Sequence, residues 1–119
     1  MIVYFCDLVH NLVAGDNQIS GGADFVVPLG IANIAAYTKK MLGDNVDVSL
    51  FKYPNDLLSA VAQDTPDVLA FSNYYWAKDL NGRVGSLIKE RNPNILTVMG
   101  GPSIRTDRAG IEMFLRQNR

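Results

Sequence analysis

The stretch "VDVSLF", Val46 to Phe51, decides how this chain folds. Val46, Val48 and Leu50 alternate with Asp47 and Ser49, so one face is apolar and the other is wet in part. That is the pattern of a strand at the margin of a sheet. Three other runs read differently. "IVYFCD" (Ile2 to Asp7), "DVLAFS" (Asp67 to Ser72) and "ILTVMG" (Ile95 to Gly100) are nearly continuous in apolar residues. Strands of that kind are covered on both faces and belong nearer the interior of a parallel sheet.

Helical periods separate the four runs. Behind Pro28, a favourable first-turn residue, Ile31, Ile34, Ala35, Met41 and Leu42 share one stripe, and Gly43 supplies the stop. Leu57, Leu58 and Val61 form a shorter stripe behind Pro54; Leu80, Val84, Leu87 and Ile88 form a third that ends near "RNPN". Ile111, Phe114 and Leu115 mark a fourth. The order is β-α-β-α-β-α-β-α, and right-handed crossovers turn it into a parallel sheet with helices on both faces. A marginal second strand beside a buried first and third gives the strand order 2-1-3-4. The expected fold is an α/β flavodoxin-like (Rossmann-like) three-layer sandwich. The sequence ends on a helix where a fifth strand would follow. Residues 1–119 therefore read as one domain, an N-terminal fragment of a longer protein with its fourth strand left at the edge.

Composition narrows the function. The 119 residues are 48% hydrophobic, which fits one globular core. Eleven basic and twelve acidic residues leave a net charge of −1, so no electrostatic footprint for nucleic acid exists. No apolar run approaches the roughly 18 residues of a membrane span, and "MIVYFC" lacks the basic start of a signal peptide. A single cysteine, Cys6, rules out an internal disulfide; a cytoplasmic location is expected. Cys6 itself sits in a buried run and reads as a small core residue.

Ligands of such sheets bind outside the carboxyl ends of the strands. Three loops build that rim. The first, Leu8 to Val27, is far longer than the usual two to six residues and carries His10, Gly15, Gly21 and Gly22. The second, "SNYYWAKD", opens with Ser72 and three consecutive aromatics, Tyr74, Tyr75 and Trp76; the third is "GGPSIR". Each has two readings. Gly100 and Gly101 permit a tight turn, or let a bulky ligand lie against bare backbone. Ser72 caps the next segment, or offers its hydroxyl at the mouth of the sheet. The aromatics pack against the protein itself, or line a ligand site.

In order and spacing, "PLGIANIAAYTKKMLGDNVDVSLFKYP" and "PDVLAFSNYYWAKDLNGRVGSLIKERNPNILTVMGGPS" resemble the cobalamin (B12)-binding domain at the N-terminus of B12-dependent radical SAM enzymes. The likeness covers Pro28 to Ser103. The wider superfamily carries Ser-x-Leu and later Gly-Gly; here Ser72-Asn73-Tyr74 precedes Gly100-Gly101, with Tyr in place of Leu and a slightly shorter spacer. The resemblance implies that Ser72 hydrogen-bonds the dimethylbenzimidazole end of the nucleotide tail and that Asn73 and Tyr74 belong to its pocket. It implies that Gly100 and Gly101 allow close approach, with Pro102 and Ser103 shaping the loop.

The same resemblance tests His10. In the branch whose histidine ligates cobalt from below, Asp-x-His-x-x-Gly follows strand one, and the carboxylate orients the imidazole. Here Asp7 stands three residues before His10, and the next glycine is Gly15. His10 is thus the candidate metal ligand, but its spacing favours a loop histidine beside the corrin, and the expectation is base-off cobalamin without a histidine below. The partners implied are the corrinoid and a downstream catalytic domain of methyltransferase type. That domain would supply S-adenosylmethionine and the 4Fe-4S cluster, since this chain lacks Cys-x-x-x-Cys-x-x-Cys and should not catalyse alone. The alternative is a domain that kept the fold, lost the cofactor and serves as an interaction or substrate-recognition module. A phosphorelay receiver is disfavoured because strand three ends in Ser72 rather than an aspartate, and a Rossmann nucleotide site because no Gly-x-Gly-x-x-Gly follows strand one.

Overall fold

The computed structural model describes residues 1–9 and 27–117. Four strands, β1 (Ile2–Cys6), β2 (Asp47–Phe51), β3 (Val68–Ser72) and β4 (Leu96–Gly100), alternate with helices α1 (Leu29–Leu42), α2 (Pro54–Gln63), α3 (Lys78–Arg91) and α4 (Arg108–Gln117). All pairings are parallel, in the order β2-β1-β3-β4. The α/β flavodoxin-like architecture expected from the alternating Val46–Phe51 pattern is the one observed.

The period of two along each strand splits the core into two apolar layers. Tyr4, Cys6, Leu69 and Phe71 pack with Leu57 and Val61 of α2 and with Val84 and Ile88 of α3. Val3 and Phe5 face the other way and pack with Ile31 and Ala35 of α1 and with Val46. Complete burial of Leu57 and Leu69 is worth about 1.5–3 kcal/mol each. The helix ends follow local chemistry. Pro54 occupies the first turn of α2, where its missing N–H costs nothing. Gly43 closes α1 at φ 57°, its N–H donating to the carbonyl of Lys39.

Two expectations, the buried stripes of α1 and α4, need correction. Of the α1 stripe, only Ile31 and Ala35 are buried; Ile34, Met41 and Leu42 are exposed. The reason is placement: α1 packs over β1 and β2, and the Lys39 ammonium ties it to the Val46 carbonyl at 2.8 Å. On the same side Val68 and Ala70 of β3 are only partly buried. β4 lies at the margin, as the 2-1-3-4 order leaves it, with Leu96 60% and Val98 46% exposed. Finally, α4 buries only Gly110; Phe114 is half-buried, whereas Ile111 and Leu115 are exposed.

Candidate functional site

The site is built by register. β1 pairs Cys6 with Phe51 of β2 and with Phe71 of β3, while Ser72 of β3 pairs with Gly100 of β4. One residue past Cys6, the Asp7 N–H continues the ladder to the Phe51 carbonyl at 3.0 Å. Lys52, Asp7, Ser72 and Gly100 therefore form a row across the carboxyl ends of all four strands. Alternation puts that row on the α1 side, in step with Leu50, Phe5, Ala70 and Val98 below it.

Above the row lies a cavity of about 470 Å³, closed on its far side by the first turn of α1. Asp7, Lys52 and Ser72 are its polar groups; Ile31, Tyr74 and Trp76 are among its apolar walls. The Tyr74 and Trp76 rings stack at 4.8 Å and 6°. Tyr74 reaches far enough that a methyl group on Gly30 would meet its hydroxyl at 3.7 Å. Partial burial pushes the Asp7 carboxyl above the usual carboxylate range, opposed by a hydrogen bond with Ser72 and by the charge of Lys52. A wide apolar mouth with three polar groups at its inner end is a binding geometry.

The residues singled out in sequence separate into two groups. Ser72 and Tyr74 line the cavity. Asn73 is buried and turned into the protein: its N–H donates to the Gly100 carbonyl at 2.6 Å, and its own carbonyl accepts from Ser103 N–H at 3.3 Å. Gly101, at φ 135°, serves the same junction, since a Cβ there would stand 2.8 Å from the Asn73 carbonyl oxygen. Gly100 differs, for a Cβ there would meet none of the described residues within 4 Å. Pro102 is exposed and Ser103 half-buried on the outer side of this loop. His10 and Gly15 lie outside the described residues. Among those described, no cluster of three or more His, Cys, Asp or Glu could hold a metal ion. Cys6 is fully buried and its thiol is pushed far up by desolvation, as a core residue's should be.

Two contributors, Lys52 and Asn81, escaped the sequence reading, and Asp7 was read only as a carboxylate for His10. Asp7 and Lys52 join the site only because the register aligns the ends of β1, β2 and β3. Asn81 stands one residue beside the apolar stripe of α3, yet it is fully buried. Its amide donates to the Ser72 carbonyl at 2.9 Å and to Asn73 Oδ1 at 3.4 Å, which ties the β3 loop to α3. A polar residue inside an otherwise helical period, nine positions after a rim serine, was the one available signal.

A parallel sheet that opens at the carboxyl ends of β1 and β3, where the chain switches from one side of the sheet to the other, defines a ligand-holding α/β domain. The chain belongs to the B12 binding domain family, whose model matches residues 23–113. It is 51% identical over 45 residues to the cobalamin-dependent radical SAM methyltransferase TokK of Streptomyces tokunonensis, covering 38% of this chain and 6% of that protein. It is 49% identical over 51 residues to the 2-(S-pantetheinyl)-carbapenam-3-carboxylate methyltransferase of Streptantibioticus cattleyicolor, covering 43% and 7%. The matched segments thus span less than a tenth of either relative's length. No described helix is long and apolar enough to cross a membrane.

Proposed function

We propose that this chain is the cobalamin-carrying module of a B12-dependent radical SAM enzyme of methyltransferase type, and that it holds the corrinoid base-off. The observation that carries the reading is Gly100. It closes the row that starts at Lys52, Asp7 and Ser72, and among the described residues nothing fills the space on its α1 side, beside the exposed apolar surface of Val98 and Leu96. Small Ala70, Ser72 and Gly100 on that side leave room for a flat aromatic base and the sugar-phosphate attached to it.

Ser72 would hydrogen-bond the benzimidazole, with Tyr74 lining the same pocket. Asn73, Gly101, Pro102 and Ser103 would hold the two loops in shape. Trp76 would offer apolar surface at the mouth. Bound cobalamin supplies a cobalt centre that can carry a methyl group. The chain's own residues bind and orient it and keep water from its tail. S-adenosylmethionine and the 4Fe-4S cluster belong to an attached catalytic domain, and the protein works in the cytoplasm.

The test is direct. Hydroxocobalamin added to the purified chain should give a saturable isotherm and the visible spectrum of a base-off corrinoid. Failure of both this chain and the full-length protein to bind at high micromolar cobalamin would sink the proposal. An active full-length protein without corrinoid would instead select an interaction module that has lost its cofactor.

A further inference from the structure

β4 ends the sheet: it pairs with β3 alone, so its other edge has no neighbouring strand among the described residues. The ladder to β3 shows which groups face that edge. Leu96 N–H donates to the Asp67 carbonyl at 3.0 Å, and the Gly100 carbonyl accepts from Asn73 N–H at 2.6 Å. Backbone groups alternate sides along a strand, so Thr97 and Met99 direct their N–H and C=O groups outward. Sheet edges are commonly guarded by charge, proline, bulges or a covering element. β2, at the opposite margin, carries Asp47 and Ser49. β4 reads LTVMG, without charge or proline, and its register with Val68–Ser72 runs without a bulge. Leu96 and Val98 are exposed on it.

This strand is also complementary to itself. Laid antiparallel to a second copy with Val98 facing Val98, it sets Thr97 opposite Met99 and Leu96 opposite Gly100. The two Thr97–Met99 pairs then exchange both of their N–H···O=C bonds, and every outward group of the two residues is satisfied. Between them the Val98 pair takes the position where facing side chains approach closest. Each Leu96 lies beside a glycine whose Cβ would meet none of the described residues within 4 Å. Bulk on one strand meets its absence on the other.

We propose that the β4 edge is a homodimer interface: two copies of this chain pair antiparallel along Leu96–Gly100, with Val98 on the twofold axis. Their four-stranded sheets become one continuous sheet. The contact is isologous, so it closes at two copies and leaves only the guarded β2 edges outside. Leu96 of the second copy stands about 5 Å to the side of Gly100 and does not overlie it. β4 contributes no residue to the rim cavity, so the inference does not depend on the cobalamin reading. A strand of 5 residues covers little beside the roughly 1,200–2,000 Å² of a stable interface. The dissociation constant is therefore expected at about 10–100 μM.

Sedimentation velocity of the full chain without ligand, from about 1 to 300 μM, should show monomer passing to dimer across that range. Hydrogen exchange reads the edge itself. The Thr97 and Met99 amides should exchange about fivefold more slowly at the high concentration, as mass action sets, whereas Leu96 and Val98 stay protected throughout. Val98→Lys and Val98→Glu each bring like charges face to face and should raise the dissociation constant at least about tenfold. An equimolar mixture of the two should restore the dimer, because unlike charges then meet across the axis. The amide measurement needs no variant and decides the matter if neither variant folds. A chain monomeric throughout, a dimer indifferent to substitution of Val98, or a mixture no tighter than its parts overturns the proposal. So does protection of both amides at every concentration, which would mean that a strand of the same polypeptide holds the edge.

Discussion

Gly101 and Asn73 are locked face to face: a side chain on Gly101 would stand 2.8 Å from the Asn73 carbonyl oxygen and 3.0 Å from its carbonyl carbon and amide nitrogen. The obstacle is backbone rather than a movable side-chain tip. The φ of 135° at Gly101 also lies in a region that residues with a Cβ rarely enter. The second glycine of the pair is therefore required by the protein itself, to bring the β3 and β4 loops together. The first has an ordinary φ, and a Cβ on it would meet none of the described residues.

The two glycines should consequently fail in different ways. Gly101→Ala should destabilise the fold by about 3 kcal/mol, the sum of a strained φ and a backbone clash. Gly100→Ala should change stability by no more than about 0.5 kcal/mol. If the nucleotide tail lies there as proposed, the added methyl group should weaken cobalamin binding about tenfold, the equivalent of modest overpacking. Urea unfolding and a corrinoid titration on the same two variants separate the roles. Equal stability losses would show that Gly100 is structural as well.

Asn81 offers a second separation. Its amide nitrogen serves Ser72 and Asn73, but its Oδ1 is buried with no partner among the described residues. Asn81→Ala leaves the Ser72 carbonyl short of a donor and opens a small void, so it should cost about 2–3 kcal/mol. Asn81→Leu also loses the donor, yet it fills the space and removes the orphaned oxygen. Its cost should be smaller, about 1 kcal/mol. Thermal unfolding of the two variants decides this, and a leucine variant less stable than the alanine one would contradict it.

What the sequence revealed about this protein follows from where its information is local. The alternation at Val46–Phe51 and the apolar runs around it are local patterns, and they gave the strand order and the rim. The exposure of Leu96, Ile34 and Met41 was not legible, because periodicity tells which residues share a face and not whether another element covers that face. Ser72 and Tyr74 were found through their loop. Asp7 was noticed only as a carboxylate for His10, and Lys52 not at all, since their meeting depends on a register between strands more than forty positions apart. The division of labour between Gly100 and Gly101 required the φ angle and the neighbouring loop. No spacing encodes either.

Cys6 leads to an alkaline prediction. The folded state keeps its thiol neutral by burial, pushing its pKa far above the ordinary value, whereas the unfolded chain releases the proton near pH 8.5. Above that point the folded state binds more protons than the unfolded one, so stability must fall as pH rises. The slope contributed by this one group approaches about 1.4 kcal/mol per pH unit. Tyr4, also raised chiefly by desolvation, adds to the fall at higher pH. Denaturation midpoints between about pH 8 and 10 should decline in the parent and decline less in Cys6→Ala, which cannot ionise. Parallel declines would mean that the thiol is not held neutral in the fold.

Trp76 provides a test of occupancy that needs no mutation. It is the single tryptophan of the chain, it lines the cavity, and 64% of its surface is exposed. Its stack on Tyr74 holds the indole at the mouth rather than in the core, so its emission reports the site and little else. A corrinoid seated there should quench that emission stoichiometrically, because the ring absorbs light where indole emits and lies within close range. The quench should saturate with the same midpoint as the absorbance titration once inner-filter losses are corrected with free tryptophan. Trp76→Phe should abolish the signal yet keep a stacking ring. Its effect on stability should stay below about 1 kcal/mol, as expected for an exposed aromatic pair that remains aromatic. Binding by absorbance with unquenched Trp76 would place the corrinoid away from this mouth and overturn the assignment of the cavity.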